Sequence, residues 1–112
     1  MGRKKELRIV CPNGHLGFAP TKEESFKLAA ATKPDYYCCD SGSNDVGPSP
    51  LGSDRSVSMR KWQKHDLELM LLAAREQGVP MLIGSAGDCG SDSRVDLYVE
   101  LIKEIAERAM NG

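Results

Sequence analysis

A chain of 112 residues and 12.2 kDa suffices for one domain but is short for a doubly wound sheet that covers its own faces and edges. With 15 Lys and Arg against 16 Asp and Glu, it has no excess charge to hold phosphate backbones or an anionic bilayer, which speaks against nucleic acid and membrane as partners. The one basic run, Arg3-Lys4-Lys5, is followed by no apolar stretch long enough for export or membrane insertion, so Cys11, Cys38, Cys39 and Cys89 read as reduced thiols of a cytoplasmic protein.

The first strand is expected over Leu7 to Cys11, and the loop behind it carries Pro12-Asn13-Gly14-His15. Thr21 and Glu24 have capping-box spacing, which starts a short helix that must end before Pro34. A second apolar run spans Tyr36 to Asp40. Behind it, Ser41 to Ser58 holds six Ser, three Gly and two Pro without periodicity, too long for an ordinary strand-to-helix turn and suited to a binding element or lid. The clearest helix runs from about Met59 to Gln77, with Trp62, Leu69, Met70 and Ala73 on one face, Gly78 as a left-handed terminator and Pro80 just beyond. His65, inside it, reads as a surface or half-buried helix residue. A third strand over Val79 to Gly84 leads through Ser85-Ala86-Gly87-Asp88 to a last helix. That helix begins near Ser93 or Val95, with Ser93 and Asp96 as caps and Tyr98, Leu101, Ile102, Ile105 and Ala109 as its apolar stripe.

The order β-α-β-α-β-α predicts an α/β unit of two or three layers around a small parallel sheet. Apolar runs without polar alternation suit strands buried on both faces. In such a sheet every strand ends at the same edge, so the three following loops become neighbours there.

Gly and Ser in those loops let the backbone approach a ligand, and the following helix N-termini favour an anionic group. The segment Gly84-Ser-Ala-Gly87-Asp-Cys-Gly90 matches neither the dinucleotide fingerprint nor the P-loop. Asp40 ends an apolar strand where a charge needs a reason, and His15 is the histidine at the expected mouth; these two are the acid-base candidates. Asp45, Asp88 and Asp92 could join Asp40 around Mg2+, or simply cap backbone N–H groups. A thiolate metal site is disfavoured because no C-x-x-C pair occurs. Ser43 or Ser85 as a nucleophile lacks both the elbow motif and an identifiable His-acid pair.

The run Asp40-Ser-Gly-Ser-Asn-Asp45-Val-Gly47-Pro48, then Leu51-Gly52, then Lys64-His-Asp66-Leu67-Glu68-Leu69-Met70, then Val79-Pro80-Met-Leu-Ile-Gly84-Ser85-Ala86-Gly87 resembles the N-terminal segment of the acyclic terpene utilisation AtuA-like family. The likeness extends from Arg8 to Ala106. Members of that family are several times longer, so the resemblance implies residues 1–112 as one α/β unit belonging to a larger domain. The matching positions are Asp40, Gly42, Ser43, Asp45, Gly47, Pro48, Gly84, Ser85 and Gly87, whereas Cys89 stands where a small or hydroxyl residue is expected.

The family's association with terpene breakdown and with lyase labels implies a catabolic enzyme domain doing lyase- or hydratase-type chemistry on a small carboxylate or acyl-CoA-like substrate. On that reading Asp40 and His15 are catalytic, while Asn13, Gly14, Ser41, Gly42, Ser43, Asp45, Gly84, Ser85 and Gly87 bind the anionic part. The resemblance leaves the cofactor unknown. The alternative expectation is a non-catalytic subunit or fragment supplying half of a site. Exposed sheet edges and apolar helix faces would then favour a homo-oligomer or a partner chain carrying the rest of the family domain.

Overall fold

The computed structural model describes residues 6–17, 19–42, 49–54 and 58–111. Three parallel strands, β1 (Ile9–Val10), β2 (Tyr36–Asp40) and β3 (Met81–Gly84), pair in the order β1-β2-β3. The helices are α1 (Glu23–Ala30), α2 (Ser49–Ser53), α3 (Arg60–Gln77) and α4 (Asp92–Asn111), with a 3-10 turn over Ala86–Asp88. The α/β expectation holds, and β2 occupies the residues expected for it.

Side chains alternate across a strand, and the register places Val10 beside Tyr37, Tyr37 beside Met81, and Cys39 beside Ile83 on one face. That face is covered. Phe26 of α1 sets its ring 5.8 Å from that of Tyr37, and Leu67, Met70 and Ala74 of α3 share the same core with Tyr98, Leu101 and Ile105 of α4. Leu67, Met70, Leu101 and Ile105 are fully buried, each stabilising the fold by roughly 1.5–3 kcal/mol through removal from water.

The other face carries Ile9 beside Tyr36 and Cys38 beside Leu82. Ile9 is 47% and Leu82 56% exposed, and Tyr36 and Cys38 are half-buried. The strands are apolar on both faces as expected, but among the described residues one face only is covered, which gives two layers. The strand order supplies the reason. Each strand pairs with its neighbour in the chain, and crossovers of one hand between strands laid down in sequence stack their helices on the same side.

Helix ends follow the sequence reading in part. Gly78 stops α3 in the left-handed conformation at φ 68°, which costs glycine little. The capping box at α1 does not form: Lys22 holds the cap position without a side-chain bond, and the N–H of Thr21 donates instead to Asp66 Oδ1 at 2.8 Å. At α4 the cap is Ser91, whose Oγ accepts the Arg94 N–H at 3.4 Å, while the hydroxyls of Ser91 and Ser93 both donate to the Asp54 carboxylate. The Ser/Gly/Pro-rich connection contains the short α2; its residues 43–48 and 55–57 lie outside the described residues. No helix among the described residues is long and apolar enough to cross a membrane.

Candidate functional site

The loops after the strands meet, as the parallel sheet requires, but they are laced together. The backbone N–H of Leu16 donates to Asp40 O at 2.9 Å, that of Ser41 to Gly84 O at 2.8 Å, and that of Asp88 to Ser41 O at 3.1 Å. In open sheets a ligand crevice forms where the strand order reverses. The order β1-β2-β3 contains no reversal, so neighbouring loops are not splayed apart.

Asp88 is the centre of this junction. Its side chain is fully buried. Oδ1 meets His15 Nε2 at 2.5 Å, and Oδ2 accepts both the backbone N–H and the hydroxyl of Ser58 at 2.9 Å. Gln63 Nε2 in turn donates to Ser58 Oγ at 2.6 Å. One carboxylate thus ties the first loop, the end of the long connection and the start of α3. The backbone there is unusual: Ser85 (φ 49°), Gly87 (φ 73°), Asp88 (φ 76°) and Gly90 (φ 69°) all lie in the left-handed region. For the two non-glycine residues this costs on the order of 1–2 kcal/mol each, a strain that clusters at functional sites and persists because surrounding contacts hold it.

His15 belongs to this junction with its side chain 12% exposed, paired with Asp88 and not with Asp40. Asp40 is exposed, and its Oδ1 accepts the Gly42 N–H at 3.0 Å, an Asx-type turn closing the strand. Ser41 is fully buried and its Oγ shares a hydrogen bond of 2.5 Å with Tyr98 Oη. Burial pushes the Tyr98 phenol up to about 12, so it stays protonated.

Gly42 and Gly87 are packing positions. A Cβ on Gly42 would stand 2.7 Å from Ser85 Cβ and 2.8 Å from Asp88 O, and one on Gly87 2.5 Å from Arg94 Cβ. Gly14, Gly84 and Ser85 are exposed at the edge. Ser43 and Asp45, together with Gly47 and Pro48, lie outside the described residues. Among the described residues no three of His, Cys, Asp and Glu gather to hold a metal ion.

Asn13 serves the neighbouring region. It helps line a cleft of about 480 Å³ with Cys11, Thr21, Lys22, Ser25 and Phe26. Its Nδ2 donates to Ala19 O at 2.8 Å and its Oδ1 accepts the His15 N–H at 3.1 Å. Behind this loop lies a second buried carboxylate, Asp66 of α3, which is 1% exposed. It accepts from Gly17 N at 3.1 Å and from Thr21 N at 2.8 Å, and His65 Nδ1 lies 2.9 Å away. His65 also approaches Glu23 at 3.4 Å, and its hydrogen bond to Asp66 raises its pKa despite some opposing burial. It is half-buried as expected, with a role in holding α1 and α3 together.

The sequence reading gave no site role to Ser58, Gln63, Asp66 or Tyr98, the last read as part of an apolar stripe, and it placed Asp88 in a strand-end loop and in an acidic group. The overlooked signal is the stripe of α3. Its buried residues are Gln63, Asp66, Leu67, Met70 and Ala74, about one position away from the stripe drawn through Trp62 and Leu69. Two polar residues on a buried stripe must have internal partners. No family model, curated protein or solved structure matches the chain.

Proposed function

We propose that this chain is an AtuA-like catabolic unit whose strand-end loops present an acid-base pair to a small carboxylate or acyl-CoA-like substrate. The observation that carries the reading is the 2.5 Å contact between His15 Nε2 and a fully buried Asp88. A base held by a carboxylate that is itself fixed, here by two donors from Ser58, is the arrangement of general acid-base catalysis. His15 accepts a proton from the substrate carbon or water, and Asp88 orients the ring and offsets the charge that forms on it. The exposed Gly14, Gly84 and Ser85 would meet the anionic group. Asp40 would act from the strand end, and lyase- or hydratase-type chemistry uses such a proton relay.

The test is a thermal-shift and turnover screen of the full chain against C4–C6 carboxylates, coenzyme A and acetyl-CoA, repeated with His15→Asn. A ligand of this class raises the melting temperature by mass action, and His15→Asn lowers any turnover by about 100-fold or more. Absence of any ligand-induced shift, or full turnover by His15→Asn, removes the assignment.

A second reading is favoured by the uncovered sheet face of Ile9, Tyr36, Cys38 and Leu82. Parallel sheets are ordinarily covered on both faces, so the unit supplies one half of a site and a partner chain, identical or carrying the remainder of the family domain, supplies the cover. Sedimentation that finds a cooperatively melting monomer at all concentrations would sink this reading.

A further inference from the structure

We infer that Cys11 and Cys39 form a reversible dithiol-disulfide couple beside the first loop, with Cys11 on the wall of the cleft and Cys39 behind it. Both thiols donate to the same acceptor, Asn13 O, Cys39 Sγ at 2.8 Å and Cys11 Sγ at 3.4 Å. The two sulfurs are therefore neighbours across one oxygen atom. Backbone placement agrees. Val10 pairs with Tyr37, so Cys11 leaves β1 diagonally opposite Cys39 on adjoining strands. Such strands lie about 4.8 Å apart and one residue of offset adds about 3.3 Å along the strand, a separation of about 6 Å within the roughly 4.4–6.8 Å that disulfides bridge between Cα atoms. In a continued strand Cys11 would point to the opposite face from Cys39, but β1 ends at Val10 and the chain turns, which brings the Cys11 sulfur to Asn13 O. Adjacent Cys38 lies on the uncovered face beside Leu82.

The two thiols differ in a way that assigns their order of reaction. Cys11 is exposed and Cys39 buried, and burial, with Cys11 next in effect, pushes the Cys39 thiol up to about 12, so Cys39 is protonated at rest. Cys11 is thus the sulfur an oxidant reaches, and Cys39, held beside it at Asn13 O, resolves as its proton passes to the departing hydroxide. With a hydroperoxide as oxidant, the Cys11 thiolate attacks one peroxide oxygen, the O–O bond breaks and hydroxide leaves, giving a sulfenic acid. Cys39 then attacks that sulfur, the S–O bond breaks, and the departing hydroxide and the Cys39 proton form water. The two sulfurs together lose two electrons, and hydrogen peroxide becomes two molecules of water.

Bond formation removes both thiol donors from Asn13 O. Asn13 also holds the His15 N–H through Oδ1 and lines the cleft, so oxidation reshapes the loop that presents His15. The experiment treats the full chain with hydrogen peroxide, blocks remaining thiols with N-ethylmaleimide, and maps peptides by mass spectrometry. The expected product has lost two hydrogens, carries a Cys11–Cys39 cross-link that dithiothreitol reverses, and keeps Cys38 and Cys89 alkylatable. Cys38→Ser retains the cross-link, which separates the two adjacent cysteines. Cys11→Ser, at an exposed position, abolishes it and leaves Cys39 a thiol. A Cys11 sulfinic acid with Cys39 still alkylatable, a bond from Cys11 to Cys38 or to a second chain, or no reaction would each overturn the inference.

Discussion

Two buried aspartates organise this molecule, and they do it differently. Asp66 accepts the backbone N–H groups of Gly17 and Thr21, with the Asn13 amide and the His65 ring beside them, and fixes the first loop to α3. Asp88 gathers side chains, joining His15 and Ser58 from separate parts of the chain, and it does so on strained backbone. Both carboxylates touch an imidazole, His65 for Asp66 and His15 for Asp88; they differ in setting, Asp66 on a regular helix and Asp88 on left-handed backbone beside the strand ends.

The largest expected effect tests this difference directly. Asp66→Ala leaves two buried backbone donors unsatisfied and should lower stability by about 3 kcal/mol or more, whereas Asp88→Asn keeps the shape and should cost about 1–2 kcal/mol. Urea unfolding of both variants measures the gap. If Asp88→Asn proved the more damaging, Asp88 and not Asp66 would be the stronger tie.

A smaller effect concerns the loop junction. Gly42→Ala drives a Cβ against Ser85 and the Asp88 carbonyl, for about 1–3 kcal/mol of overpacking. Gly14→Ala meets nothing within 4 Å and should stay within about 0.5 kcal/mol of the parent. Equal melting temperatures for the two variants would show that the junction yields freely.

The smallest effect is a pH dependence on the Asp66 side. The folded-state pKa of His65 is raised by its bond to Asp66 and by Glu23. Its contribution is therefore fully present below the unfolded value of about 6.5 and lost as pH rises through the raised folded value. His65→Gln should flatten this part of the stability profile in denaturant titrations at successive pH values. An unchanged slope would remove His65 from the Asp66 anchor.

Much of the framework was legible because it rests on local patterns. Tyr36 to Asp40 is a short apolar run between turn residues, and Gly78 followed by Pro80 marks the end of α3, so both ends could be read directly. The meeting of the strand-end loops followed from parallel topology. The partners of each loop residue did not, because they are set by long-range packing: His15 meets Asp88 across 73 positions, and Thr21 turns from its capping role to Asp66, 45 positions away. The uncovered face was hidden for another reason. Apolar side chains on both sides of a strand state that both should be covered, and say nothing of whether the cover belongs to the same chain.

The backbone bonds from Leu16 to Asp40, from Ser41 to Gly84 and from Asp88 to Ser41 run in series across the strand ends. The end of β2 is thus hydrogen-bonded to the first and the third loop at once, and neither loop can leave it without breaking a bond at the strand end that the other shares. A ligand or modification that shifts Asn13 and His15 would be felt at Ser85 as well, and the loops would change conformation together.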